Sequence, residues 1–370
     1  MPVVFMTEKE WLDIGRKSGA VETCRKSAAF VEVYKKWFVM KMRTVKPQTL
    51  DRIECTYNRY YKDTEFEIRQ LHEIDTSYLC EYMGAMLLHL GQITQKEYKR
   101  LYQILNNVLV YAHDLNMSGA QVIDWGTVKR YVPVQCIVSS NTADRVVTDK
   151  TILYLEDKVL DNKVYYLKQS ACICLVLNFY LGLRVGELAS LQWSDIDYIN
   201  GVVHVHTTET KAYTRDASGE RDSCMRYAIS DTTKTIEGIR DVPLTYKSVQ
   251  LLQELSRHHG VMGYTSPYLA YDGTDTALVR SLDRTLRRLC RLCEILPFST
   301  HLIRKTFASR LHDAGMSTRM ISDLLGHREI STTERYYILG CQDEIDRART
   351  AMNTAFGIDS DQCSNVECAG

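Results

Sequence analysis

Apolar positions along this chain recur mostly at three- and four-residue steps, the period of a helix with one buried face. From Ala28 to about Tyr131 that period holds throughout. SAAFVEVYKKWFVMKM reads as one helix, and Lys46-Pro47-Gln48-Thr49 restarts a second through Ile53 and Tyr57. Thr76-Ser77 opens a third over Leu79 to Leu88, and Thr94 opens a long fourth carrying Tyr98, Leu101, Leu105 and Val108. Four such helices predict a small bundle, and none of them has an unbroken basic face. Between Pro133 and Asp149 the pattern lapses into VQCIVSSNTADRVVT, poor in bulky residues except valine, which predicts a linker.

The second half is helical again with one interruption. An apolar helix over Ala171 to Tyr180 runs into Leu181-Gly182-Leu183-Arg184-Val185-Gly186-Glu187-Leu188, where the glycines permit a sharp turn and close backbone approach. In DIDYINGVVHVHT the period drops to two around Asn200-Gly201, a strong hairpin signal. Further strands are expected near Arg226 to Ile229 and Ile239 to Leu244, after the stretch TTETKAYTRDASGERDSCM. From Thr276 to Leu292 a helix turns its leucines inward and Arg280, Arg284, Arg287, Arg288 and Arg291 largely outward.

Three short helices are expected from Ser299 to Tyr337. The first, capped by Ser299 or Thr300, buries Ile303, Phe307 and Leu311 and stops at Gly315. The second, opened by Ser317 or Thr318, buries Met320, Ile321, Leu324 and Leu325 and stops at Gly326. The third starts at Ser331-Thr332-Thr333-Glu334, a capping box. Polar residues that packing does not require are left on three separate helices: His301 and Arg304, then His327, then Tyr336.

Composition narrows this picture little. The chain has 370 residues, enough for two domains, and its 45% hydrophobic and 25% charged residues are ordinary for a soluble globular protein. No apolar run approaches the length of about 20 that spans a bilayer, and MPVVFMTEKEW lacks the order of a signal peptide, so a cytoplasmic protein with no membrane partner is expected. Net charge is zero, which alone argues mildly against nucleic acid, but its distribution answers that. Residues 1–50 hold ten Lys/Arg against five Asp/Glu, and residues 276–310 hold eight against two, the clustering a phosphate-tracking surface needs. The twelve scattered cysteines suggest reduced thiols. Cys290-x-x-Cys293 lacks a second pair, and His204-x-His206 with Cys224 reads first as plain strand surface, so no metal is expected.

The leftover polar residues carry a resemblance. His301-Leu302-Ile303-Arg304, Leu325-Gly326-His327 and a tyrosine nine or ten residues on, preceded by Gly182-Leu183-Arg184-x-Gly186-Glu187-Leu188, resemble the catalytic half of the tyrosine recombinase (integrase) family. Thr233-Lys234-Thr235 followed by Gly238-x-Arg240-x-Val242-Pro243-Leu244 resembles the family's mobile lysine hairpin; the first hairpin is longer than in minimal members of the family, with TTETKAYTRDASGERDSCM inserted, and Lys211 in that insertion is a weaker rival. The likeness runs over most of residues 29–340. It implies a mainly α fold with a small antiparallel β-sheet, in a two-domain C-shaped clamp. The expected parts are an N-terminal arm (1–28), a helical core-binding, SAM-like DNA-binding domain (29–135), a linker (136–148), a catalytic domain (149–340) and a C-terminal helix and tail (341–370).

The implied activity is strand cleavage and rejoining through a 3′-phosphotyrosine, without cofactor, ATP or metal. Arg184 and Arg304 would clamp the phosphate, being planar paired donors that stay charged. Lys234 would be the general acid for the 5′-oxygen, His301 the acid–base partner of the tyrosine, and His327 a hydrogen-bond donor to the phosphate. Glu187 matches the acidic position that supports the first arginine. Tyr336 is the favoured nucleophile, because Ser-Thr-Thr-x-x-Tyr is the commoner wording, with Tyr337 the alternative; neighbouring helical residues point about 100° apart, so only one can face the site. The implied partners are duplex DNA at a recombination site, contacted also by the five arginines, other copies of the chain in a tetrameric synaptic complex, and an excisionase or other DNA-bending factor. Integration and excision of a bacterial mobile element, in a nucleoid-associated protein, is the leading reading. A recombinase that resolves chromosome dimers, a type IB topoisomerase, a noncatalytic DNA-binding protein of this fold and a metal-binding helical protein are the competitors.

Overall fold

A proline, an aspartate and a threonine set where three of the amino-terminal helices begin. Pro47 occupies the first turn of its helix, where its missing N–H costs nothing. The Asp75 carboxylate accepts from the Tyr78 N–H at 2.7 Å, and Thr94 exchanges caps with Glu97. The structure is a computed structural model that describes residues 27–138, 146–161, 168–230, 238–273 and 278–327, with Ser331 and Thr333. Its described residues fall into two units, one within Met1–Asn141 plus Ala212–Met225, the other within Thr142–Lys211 plus Arg226–Gly370.

The first unit holds helices α1 (Phe30–Met42), α2 (Pro47–Tyr60), α3 (Glu65–Ile68), α4 (Thr76–Leu90), α5 (Gln95–Asp114) and α6 (Trp125–Arg130). Two residues of β1 (Ile93–Thr94) pair in parallel with β2 (Ile137–Val138). The core is rich in aromatic rings: Phe30, Trp37, Tyr61 and Phe66 are buried with Leu79, Met83, Leu101 and Leu105, and Tyr34 stacks on Tyr57 at 3.6 Å between centroids. The outer end of the inserted hairpin belongs to this unit. Arg215 enters it as a guanidinium only 4% exposed, donating to Asp51 at 2.7 Å and Glu54 at 2.8 Å, over the ring of Phe38.

The second unit is built round a helix that is apolar on all sides and so must be central. After α7 (Asp149–Leu160), α8 (Gln169–Leu181) buries every residue from Ser170 to Phe179, and α7, α10, α11 and α12 pack around it. The Asp272 carboxylate caps its start, accepting from the Ser170 and Ala171 N–H groups. Then follow α9 (Val185–Ser190), β3 (Ile196–Asp197), β4 (Val202–Val205), β5 (Thr208–Arg215), β6 (Arg221–Ser230), β7 (Arg240–Pro243), α10 (Tyr246–Met262), α11 (Leu278–Leu292), α12 (Thr300–Asp313) and α13 (Thr318–Leu325). Strands β3, β4 and β7 form an antiparallel sheet in that order, with Val203 opposite Val242, while β5 and β6 pair with each other.

Two expectations need correction. Ser299 stands at the N-cap of α12 but makes no capping hydrogen bond. Met320 is 56% exposed; a helical step of 100° carries it off the arc where Ile321, Ser322 and Leu325 are buried. Of the third expected helix, Ser331 and Thr333 are described, while Glu334, Tyr336 and Tyr337 lie outside the described residues. Among the described residues no helix is long and apolar enough to cross a membrane.

Candidate functional site

The corner that carries Arg184 is shaped by what its neighbours lack. Gly182 ends α8 in the left-handed region, at φ +63°, and a Cβ there would lie 2.2 Å from the ring of Phe307. A Cβ on Gly186 would lie 2.5 Å from Thr208 Oγ1 and 2.7 Å from the Glu209 carbonyl oxygen. Buried Asn178 closes the turn by accepting from the Leu183 N–H at 2.7 Å and donating to the Leu183 carbonyl at 3.0 Å. Arg184 therefore starts α9 at a fixed corner, with Glu187 one turn on.

Glu187 is the centre of the site. Its side chain is 2% exposed. It accepts from Arg184 Nη1 at 2.7 Å, from the Arg184 N–H at 2.9 Å and from Arg240 Nη2 at 2.8 Å, and it lies 3.7 Å from Arg304 Nη1. Burial alone would raise its pKa; the charges of Arg240, Arg184 and Arg304 overcome that and hold it at about 2.

The same three guanidiniums converge on one helix end. The last carbonyls of a helix have no intrahelical partner, and the helix dipole makes that end negative. At the end of α13, Arg240 Nε donates to the Leu324 carbonyl at 2.6 Å, Arg304 Nη2 to Leu325, and Arg184 Nη2 to Gly326 at 2.9 Å. Arg304 Nη1 also donates to the Gly182 carbonyl at 2.9 Å. Three successive carbonyls thus each take one arginine. Gly326, at φ +63°, turns the chain so that His327 follows at once.

His327 Nε2 lies 3.0 Å from Arg304 Nη2 and its Nδ1 2.9 Å from Thr333 Oγ1. Arginine has only donors, so Nε2 must accept and the proton of the neutral ring sits on Nδ1. Burial first, then the charges of Arg304, Arg184, Arg240 and His301, lower its pKa to about 3. His301, in the first turn of α12, is lowered in the same sense by desolvation and then by Arg304, Arg184 and Lys305, although part of its side chain is exposed.

Arg184, Glu187, Arg304 and His327 are accordingly brought together, and His301 lies within their field. Lys234, Tyr336 and Tyr337 lie outside the described residues. Lys211 is exposed on β5. Arg280, Arg284, Arg287, Arg288 and Arg291 are all exposed on α11, with Leu278, Leu282, Leu286 and Leu289 inward. The start of that helix is held by Glu209, which accepts from the Leu278 and Val279 N–H groups. Cys290 and Cys293 are buried; His204 pairs with Asp241 at 2.7 Å and His206 with Asp195 at 2.9 Å. No cluster of three metal-ligating side chains occurs among the described residues. Arg240, Asn178 and Thr333 were not singled out from the sequence. Arg240 stood in plain view within Gly238-x-Arg240-x-Val242, but nothing in that wording says that it turns inward.

Comparison with known proteins points the same way. A model of the phage integrase family matches residues 156–340, half of the chain. The chain is 25% identical over 330 residues to a XerC-like tyrosine recombinase of Caldanaerobacter subterraneus subsp. tengcongensis, covering 84% of this chain and 79% of that one. It is 21% identical over 335 residues to the integrase of Staphylococcus phage L54a, covering 84% of this chain and 89% of that one. Its fold matches the Tn1549 transposon integrase solved with a circular intermediate DNA, with a TM-score of 0.65 at 18% identity, over 89% of this chain and 100% of that one.

Proposed function

Since the chain belongs to the phage integrase family and is a tyrosine recombinase, we propose that Arg184 and Arg304 hold the scissile phosphate of a recombination site while Tyr336 attacks it. The observation that carries this is the charge at the end of α13, where three guanidiniums surround a single carboxylate. Among the described residues this is more cations than anions, at a corner where Arg184 is 41% exposed. A phosphodiester brings a further anion, and the charge that develops on its nonbridging oxygens during attack is met by donors already in place. Arg184 meets the phosphate from the exposed side, and Arg304, almost wholly buried, supplies charge from beneath.

In the cleavage step the Tyr336 hydroxyl oxygen bonds to phosphorus and its proton passes to the His301 imidazole, which its surroundings keep neutral and ready to accept. The bond from phosphorus to the 5′-oxygen breaks, and Lys234 gives that oxygen a proton. The products are a 3′-phosphotyrosine and a free 5′-hydroxyl, with the number of ester bonds unchanged. Attack by a 5′-hydroxyl from another strand reverses the step on a new partner. His327 becomes a donor to the phosphate only by taking a proton on Nε2, which the arriving negative charge favours.

The substrate is duplex DNA, tracked in part by the exposed arginines of α11. The Tn1549 integrase was solved with DNA and the phage L54a relative is an integrase, which supports integration and excision of a bacterial mobile element as the task. The XerC-like relative favours one competitor, a chromosome-dimer-resolving recombinase; mapping the cleaved sequence separates an element end from a chromosomal site. The reading also carries four copies on two synapsed sites, with a DNA-bending factor such as an excisionase setting direction. Sedimentation of the protein on paired sites tests the first, and excision assays with and without the factor test the second.

The decisive experiment is incubation with a nicked suicide substrate, denaturing electrophoresis and peptide mapping. A covalent adduct at Tyr336, lost in Tyr336→Phe, is expected. An adduct at Tyr337 reassigns the nucleophile. Salt-dependent binding with no adduct on element ends or chromosomal sites favours a noncatalytic DNA-binding protein.

A further inference from the structure

Arg240 is the third cation of the cluster. Its side chain is 6% exposed. Nε donates to the Leu324 carbonyl at 2.6 Å, Nη1 to the Gly238 carbonyl at 3.0 Å and Nη2 to Glu187 Oε2 at 2.8 Å. Each of its three nitrogens donates to an acceptor within the protein, so Arg240 acts on what it holds.

What it holds is the balance between the other two arginines. Glu187 Oε2 takes Arg240 at 2.8 Å and stands 3.7 Å from Arg304, while Oε1 takes Arg184 at 2.7 Å. Buried carboxylates seek the nearest cation with a hydrogen bond to give. Remove Arg240, and the nearest replacement at Oε2 is Arg304, which would be drawn off the Gly182 and Leu325 carbonyls and away from His327 Nε2. The Leu324 carbonyl would lose its partner at the same time, loosening the helix end on which Arg184, Arg304 and His327 are all registered.

We propose that Arg240 is a positioning residue for strand cleavage: by occupying Glu187 Oε2 and the Leu324 carbonyl, it keeps Arg304 aimed at the phosphate instead of at Glu187. The proposal rests on the recombinase reading above. It assigns Arg240 no contact with DNA, so the chemical step should suffer and binding should not.

The test is single-turnover cleavage of the suicide substrate by the intact chain, beside equilibrium binding to the same DNA and thermal melting of each variant. Arg240→Gln is expected to slow cleavage about 30- to 100-fold, on the scale of one misplaced phosphate donor, with Kd within about threefold of wild type. Arg240→Lys keeps the charge but cannot reach three acceptors at once, and is expected to slow cleavage about tenfold; it carries the test if Arg240→Gln does not fold. Glu187→Gln removes the charge that would capture Arg304, so Glu187→Gln with Arg240→Gln should be within about threefold of Arg240→Gln alone. A merely structural Arg240 predicts instead that the two losses multiply. Multiplying losses, or cleavage within threefold of wild type in a folded Arg240→Gln or Arg240→Lys, overturn the inference while wild-type adduct formation leaves the recombinase reading standing. No adduct with wild type overturns both.

Discussion

The two units each hold an ion cluster, and among the described residues the clusters differ in charge balance. In the first, Arg215 lies between two carboxylates, Asp51 and Glu54, and Arg221 stands 3.7 Å from Glu54. In the second, one carboxylate, Glu187, lies among Arg184, Arg240 and Arg304. Burial works against the Arg215 charge, but its hydrogen bonds to Glu54 and Asp51 hold its pKa above the usual value, so the charge is balanced within the cluster. Among the described residues the Glu187 cluster holds three guanidiniums and one carboxylate. Burial first, and then the charges of these arginines, depress both neighbouring histidines. A closed cluster holds a fold together; an unbalanced one is available for chemistry.

The comparison breaks most visibly at Arg304. Arg304→Lys keeps a charge but cannot serve the Gly182 and Leu325 carbonyls together, and single-turnover cleavage should fall about 100- to 1000-fold. A loss under tenfold in a folded variant would mean that the unbalanced cluster is not where the phosphate sits. Arg215→Met is the counterpart. It should lower unfolding free energy by about 3 kcal/mol, because two carboxylates lose their shared cation, yet leave cleavage unchanged at temperatures where the variant is folded. Denaturant titration and the cleavage assay, run side by side, separate the two outcomes.

Acid sharpens the contrast further. The folded pKa of His327, about 3, lies below its ordinary 6.5, so between those values the unfolded chain binds the extra proton. Stability is full above pH 6.5 from this source and declines as pH falls. Glu187, at about 2 instead of 4.5, adds a loss in the same direction below pH 4.5. Denaturation midpoints measured from pH 7 to pH 5 should fall in wild type and fall less in His327→Asn. The smallest effect is expected away from both clusters. Arg287→Ala on α11 should weaken DNA binding a few-fold at moderate salt and reduce the slope of log affinity against log salt by about one.

Helix existence was legible in the sequence, because helical period, Pro47, Thr94 and the apolar run of α8 all report on local burial. The catalytic arginines and histidines were legible as a set only through the resemblance, since their separation along the chain hides their meeting. What could not be read were the partners that are not side-chain wording at all: the carbonyls of Leu324, Leu325 and Gly326, and the inward turn of Arg240 from a strand that otherwise reads as alternating surface. Met320 departs from the expected burial for a related reason. An eight-residue helix has too few turns for its period to fix which edge of the apolar stripe is covered. The insertion, read as a lengthened hairpin, gave no sign that Arg215 would be buried against α2, because a lone arginine between a threonine and an aspartate looks solvated.

The assignment of Ala212–Met225 to the helical unit has a practical outcome. The polypeptide does not run through one body and then the other; it leaves the second, completes the first and returns. A fragment cut at the Asn141–Thr142 junction would lack its own missing piece, with Asp51 and Glu54 stripped of Arg215 and Phe38 uncovered. An expressible amino-terminal fragment needs residues 212–225 spliced back on, or supplied as a separate peptide.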